Sequence, residues 1–137
     1  MKKSDLIYSA GFFDGEGYVS MRRRKAYRRN CNYINIGCGV CQSDEHVINW
    51  FKSVFGGSVT HRKRNKNYRE MWDWDLSCNK AKEFLKLVLP YLKVKKKQVE
   101  IVINFQENRK QTRGRKTRYD IDFEEAALNR LIEARNG

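Results

Sequence analysis

The stretch Ala10-Gly11-Phe12-Phe13-Asp14-Gly15-Glu16-Gly17 decides how this chain is read. Leu6, Ile7, Ala10, Phe12 and Phe13 make the segment an apolar helix opened by Ser4 and Asp5 as caps. Those apolar residues surround the helix nearly completely, so it is expected to be buried. Gly15 and Gly17 end it. Asp14 and Glu16 therefore stand at a helix C-terminus, where the aligned peptide dipoles disfavour anions. Two carboxylates there cost stability unless a cation joins them, and a divalent metal is such a cation. A helix stop with solvated carboxylates is the plainer alternative.

Outward from that stretch the hydrophobic period changes. Side chains alternate over residues 18–24, and after a turn near 26–30 the alternation resumes with Ile34, Ile36, Cys38 and Val40 on one face. The opposite face presents Ser20, Arg22 and Arg24 from one strand and Tyr33, Asn35, Gly37 and Gly39 from the other. Ser43, Asp44 and Glu45 open a second helix through Val47, Ile48, Trp50, Phe51, Val54 and Phe55, stopped by Gly56 and Gly57. A second strand pair, 59–64 and 68–76, flanks a turn at 65–67; Trp72, Trp74 and Leu76 face inward, Asp73 and Asp75 outward.

Helical spacing returns in Ala81, Phe84, Leu85, Val88 and Leu89, with Pro90 closing that helix. Another runs from about 95 to 107, a basic connection covers 109–118, and Asp122 to Glu125 resembles a capping box opening a last helix to 134. The order predicts one α+β domain over 1–137, with its core at about 4–107 and its final helix at about 120–135. A four-stranded antiparallel sheet is covered by helices on one face and left wet and cationic on the other.

The 137 residues carry 29 Lys plus Arg against 16 Asp plus Glu, a formal net charge of +13. The cations cluster: 21 of the 29 lie in 21–30, in 61–70, in 109–118 and at Lys93, Lys95, Lys96 and Lys97. Clustering of this kind points to a polyanion, nucleic acid above all, rather than to solubility alone. The apolar runs are too short to span a membrane, and the N-terminal residues do not read as a secretory signal, so the protein is expected to be intracellular. Cys38 and Cys41 have the C-x-x-C form, but a spacing of three on a strand sends them to opposite faces, and Cys31 and Cys78 stand alone. They read as structural thiols rather than a zinc site.

Residues 9–17 resemble the motif that names the LAGLIDADG homing endonucleases, with Ser9 at its first Leu and Glu16 at its last Asp. The order of elements resembles that family over most of 4–107, which implies its αββαββα fold with a concave DNA-binding face. Val40-Cys41-Gln42, followed at once by a helix, resembles the place where single-motif members carry a polar residue that organises solvent. The segment from Leu89 to Gln98 resembles the one holding the family's catalytic lysine, which falls on Lys95.

Carried over position by position, the resemblance implies that Glu16, with the Gly15 carbonyl, ligates Mg²⁺, for which Mn²⁺ can substitute. Asp14 would hold the helix end, Gln42 would bond the attacking water, and Lys95 would stabilise charge on the phosphate or lower the pKa of the water. His46 reads equally well as an assistant or as a surface histidine. One motif in a short chain implies a homodimer, and Gly11 and Gly15 leave a bare stripe for close approach of a second copy. The resemblance further implies a staggered double-strand cut with short 3′ overhangs in a near-palindromic site of roughly twenty base pairs of double-stranded DNA. Candidate DNA contacts are Ser20, Arg22, Arg24, Arg28, Arg29, Tyr33, Asn35, Arg62, Arg64, Arg69, Asp73, Lys93 and Lys97. An intron-RNA maturase and a non-catalytic DNA-binding regulator on the same scaffold remain open alternatives.

Overall fold

Alternating strands and amphipathic helices assemble here as their periods require. The computed structural model describes residues 1–26, 31–63, 69–109 and 118–136. Its elements are α1 (Lys3–Glu16), β1 (Gly17–Ala26), β2 (Cys31–Gln42), α2 (Glu45–Phe55), β3 (Ser58–Arg62), β4 (Met71–Ser77), α3 (Cys78–Val88), a 3-10 turn (Leu89–Tyr91), α4 (Lys96–Asn108) and α5 (Arg118–Asn136). The strands form one antiparallel sheet in the order β1-β2-β4-β3. Gly17 lies opposite Val40, Arg22 opposite Asn35, Gly39 opposite Asp75 and Thr60 opposite Asp73.

One face of that sheet is the core. Val19, Met21, Ile34, Ile36, Cys38, Val40, Trp74 and Leu76 are buried against Phe13, Phe51, Phe84, Leu85, Val102 and Phe105 from the helices. Trp74 is the keystone: its ring centroid is 4.9 Å from that of Phe51 and 5.2 Å from that of Phe84, and its Nε1 donates to the Gly56 carbonyl at 2.7 Å. Truncating it to Ala would cost about 3–5 kcal/mol. Gly56 and Gly57, at φ +74° and +94°, end α2 in a conformation that L side chains rarely adopt, as their placement in the sequence predicts. Asp44 caps α2 by accepting from the His46 N–H at 2.9 Å.

The structure corrects several expectations. The first helix is not buried all round: Ser9, Ala10 and Phe13 are buried, whereas Ile7 and Tyr8 are 47% and 51% exposed and Gly11 is open to solvent. Its apolar residues lie on two faces, and a single chain covers only one. Lys2 rather than Ser4 or Asp5 is the N-cap, with no side-chain cap bond, and Gly15 is helical, so Gly17 alone ends α1.

The last helix is already under way at Arg118, so Asp122 lies within it, paired to Arg118 at 3.5 Å, and opens no capping box. Packing decides that boundary: Phe123 stacks on Phe105 of α4 at 5.7 Å, and Glu125 pairs with Arg23 of β1 at 2.5 Å. Finally, Trp72 is only half-buried, stacked on His61 at 4.7 Å, and Asp73, on the outward face, is buried. Among the described residues, no helix is long and apolar enough to cross a membrane.

Candidate active site and nucleic-acid interface

The end of α1 is built by contacts from a segment some eighty residues away. Asp14 Oδ2 accepts from the Lys93 N–H at 3.0 Å, and Oδ1 accepts from the Val94 and Lys95 N–H groups at 2.9 Å each. These donors belong to the chain entering α4, where no helical carbonyl serves them. Lys95 returns the contact, its Nζ donating to the Asp14 carbonyl oxygen at 2.8 Å. An ammonium at a helix C-terminus offsets the dipole that disfavours anions there. Burial pushes the Asp14 carboxyl up, but the three backbone N–H groups and the Lys95 charge outweigh it and hold the group below its ordinary value of 3.8.

Glu16, two residues on, is in the opposite condition. It is the last residue of α1, exposed, and without a hydrogen-bond or ion-pair partner among the described residues. Gly17 follows as the C-cap, and a Cβ built there would meet the Phe13 ring at 2.3 Å. The glycine thus lets β1 leave the helix directly beneath the core. A Cβ at Gly11 or Gly15, by contrast, would meet nothing within 4 Å, so none of the described residues requires glycine at either position. Gln42 ends β2 two residues beyond the partner of Gly17, and its Oε1 accepts from the Ser43 N–H at 3.0 Å. His46 is exposed in the first turn of α2.

The wet face of the sheet carries the remaining candidates. Tyr18, Ser20, Arg22 and Arg24 run along β1, and Tyr33 and Asn35 lie across from them; together with Asp75 and Ser77 they line a trough of about 340 Å³. Arg22 and Arg24 are exposed, Ser20, Tyr33 and Asn35 half-exposed. On the other strand pair, Arg62 Nε lies 2.6 Å from the buried Asp73 Oδ2 as an ion pair. Arg69, Lys93 and Lys97 are exposed. Arg28, Arg29 and Arg64, together with the turn at 65–67 and most of the basic connection, fall outside the described residues.

The sequence model of a family described as LAGLIDADG endonuclease matches residues 9–100, two-thirds of the chain. This chain belongs to the LAGLIDADG endonuclease family. Solved structures agree on the fold. The homing endonuclease I-CvuI, crystallised with its target in the presence of calcium, is 19% identical with a TM-score of 0.73, over 97% of this chain and 81% of that one. The archaeal intron-encoded homing endonuclease I-Vdi141I, complexed with DNA, is 16% identical with a TM-score of 0.62, each chain covered in full. I-SmaMI, bound to uncleaved DNA with calcium ions, is 17% identical with a TM-score of 0.57; 94% of this chain covers 42% of it. No curated protein sequence matches the chain.

In this LAGLIDADG chain the structure brings Asp14, Gly15, Glu16 and Lys95 to one place, with Gln42 close to it by register. Sequence reasoning missed Tyr18, which its own alternation puts on the wet face. Burial and the nearby Asp73 and Asp75 carboxylates, only partly opposed by Arg22, push the Tyr18 phenol up to about 12, so it stays a neutral donor. A Cβ at Gly39 would meet the Tyr18 hydroxyl at 2.7 Å and the Trp74 carbonyl at 2.2 Å, so glycine there clears the path by which Tyr18 crosses β2. Cys38 is buried, which raises its thiol, and Cys41 is part-exposed. Among the described residues, no three His, Cys, Asp or Glu side chains gather as a metal site within one chain.

Proposed function

We propose that this chain is a site-specific DNA endonuclease that works as a homodimer, each copy contributing the end of one α1 helix. The observation that carries the reading is the pair of carboxylates at that end: Asp14 is consumed by three backbone N–H groups, while Glu16, two residues on, is exposed and, among the described residues, unpartnered. The Lys95 ammonium offsets the helix dipole at the Asp14 carbonyl, but among the described residues no cation is paired with the Glu16 carboxylate itself, which leaves it open to one. Its donor set, one carboxylate and the Gly15 carbonyl, is hard oxygen and suits Mg²⁺, with Mn²⁺ as substitute. Bound there, such an ion would supply Lewis-acid activation of water and charge relief at the leaving oxygen.

The residues of the chain do the rest. Lys95 places positive charge where the phosphate becomes more negative, and Asp14 is the positioning residue that holds Lys95 against the helix end. Gln42 orients water with its amide. One chain brings one free carboxylate, and two strands must be cut, so two copies are needed. Gly11, Gly15, Ile7 and Tyr8 form the exposed side of α1, where a second helix can approach without meeting a Cβ at either glycine. Two such helix ends meeting at a dyad would face opposed phosphates across the minor groove, giving a staggered cut with short 3′ overhangs.

Recognition falls to the wet face. β1 and β2, of 10 and 12 residues, are each about 33–40 Å long, close to one turn of duplex, so two sheets follow about twenty base pairs. Arg22, Arg24, Asn35, Tyr33 and the Asp73-paired Arg62 offer the donors and acceptors that base edges and phosphates require.

Glu16→Gln tests the reading. The variant is expected to dimerise and bind duplex DNA as the parent does and to lose metal-dependent cutting by about a thousandfold or more. Cleavage at the parental rate would remove Glu16 from the reaction.

A further inference from the structure

A second concavity lies against β1, which borders the sheet and has a partner strand on one side only. The hollow, about 390 Å³, is walled by Gly17, Ser20, Arg22, Lys95, Gln98 and Arg135 among others. Among the described residues that line it, three are cationic and none is acidic. Like charges gathered around one hollow repel, and an anion entering it relieves that repulsion.

Each cation is placed by a different element. Lys95 is tied to the Asp14 carbonyl, and Arg22 stands on β1 five residues beyond the C-cap of α1. Arg135 comes from the far end of the chain, and its Nη2 donates to the Val19 carbonyl, a group the unpaired side of β1 leaves available. A guanidinium carries five N–H groups, so this one bond leaves others available to a ligand in the hollow. The docking of α5 holds it there: Arg23 pairs with Glu125, Phe123 stacks on Phe105, and Leu131 is fully buried. Gln98 lies three residues after Lys95, on the same side of α4, and adds an amide donor.

We infer that this recess seats one phosphate of the DNA backbone, adjoining the site of cutting, with Arg135 and Gln98 as donors beside Arg22 and Lys95. The inference rests on the endonuclease reading and extends it. The C-terminal helix becomes part of the DNA grip rather than only a cover for α4, and it places its arginine next to the reacting end of α1. A phosphodiester suits the recess because three cations and no carboxylate line it among the described residues, a balance that favours an anion, and the Arg fork matches two anionic oxygens.

The test measures affinity of the full-length protein for a random-sequence duplex in EDTA, where nothing is cut, across about 50 to 200 mM salt. Arg135→Gln should make the slope of log K against log salt shallower by about 0.9 per chain, while Arg135→Lys keeps the parental slope. Gln98→Glu, on a part-exposed helix position, should weaken binding about tenfold at the lowest salt and far less at the highest. Should circular dichroism show Arg135→Gln unfolded, Gln98→Glu decides alone. Parental binding by Gln98→Glu at every salt, or a parental slope for folded Arg135→Gln, overturns the phosphate seat. In either case a steep parental slope leaves the endonuclease reading standing, whereas a flat parental slope strikes that reading itself.

Discussion

The last turn of α1 and the wet face of β1 and β2 are adjacent in the chain and opposite in construction. At the helix end the polar groups are spoken for: three N–H groups converge on Asp14, and Lys95 bonds the Asp14 carbonyl at 2.8 Å. Glu16 is the exception. On the sheet Arg22 and Arg24 stand exposed, and the clasp between Asp73 and Arg62 lies on the far strand pair. The contrast separates two tasks. Chemistry needs groups held within fractions of an ångström before substrate arrives, whereas holding a polyanion needs charge density that can adapt.

Substitutions at the two regions should therefore fail in different ways. After Glu16→Gln, the largest effect is expected from Lys95→Met, which removes the ammonium but not the main-chain donor to Asp14. Cleavage by bound enzyme should slow by about 10²-fold or more, measured in single-turnover assays, with only a modest loss of affinity. If binding vanished and the residual complex cut normally, the two regions would not be separable at this residue.

Asp14→Asn sharpens the contrast from the other side. The carboxamide keeps an acceptor but loses the charge and turns an NH₂ toward main-chain donors, which costs about 1–3 kcal/mol and slows cutting less than Lys95→Met. Its pH signature is specific. The folded Asp14 carboxyl titrates below 3.8, so the stability it contributes is full above the unfolded value and lost as pH falls through the folded one. Thermal unfolding of Asp14→Asn should lack that acid leg; an unchanged acid profile would show that the clasp contributes nothing.

The smallest effect on the reaction is expected on the sheet. Arg24→Gln should make the salt dependence of affinity shallower by about 0.9 per chain for the phosphate no longer neutralised, with the cutting rate at saturation nearly unchanged. A saturated rate that fell with affinity would merge the two regions.

Much of this was legible in the sequence, for identifiable reasons. Alternation fixed which residues of β2 are buried, since Ile34, Ile36, Cys38 and Val40 can share a face only on a strand, and the glycine pair after Phe55 marked the stop of α2. The odd placement of Asp14 and Glu16 marked the candidate site. What stayed hidden depends on three-dimensional closure. No spacing tells that Asp14 accepts from residues 93–95, because main-chain donors have no sequence signature. The exposed side of α1 was misjudged because an apolar helix reads the same whether its second face meets the core or another chain. The start of α5 was misplaced because the capping pattern at Asp122 competed with packing on α4 and β1, and packing won.

Two copies of this chain, each with one Glu16, should cut duplex DNA at a chosen sequence. The most direct measurement incubates the purified protein with a randomised duplex library and Mg²⁺ and sequences the cut ends. Recovered sites are expected to have two halves related by a dyad and to be cut in both strands with a short stagger. Ends spread without sequence preference, or intact DNA alone, would contradict the dimeric endonuclease.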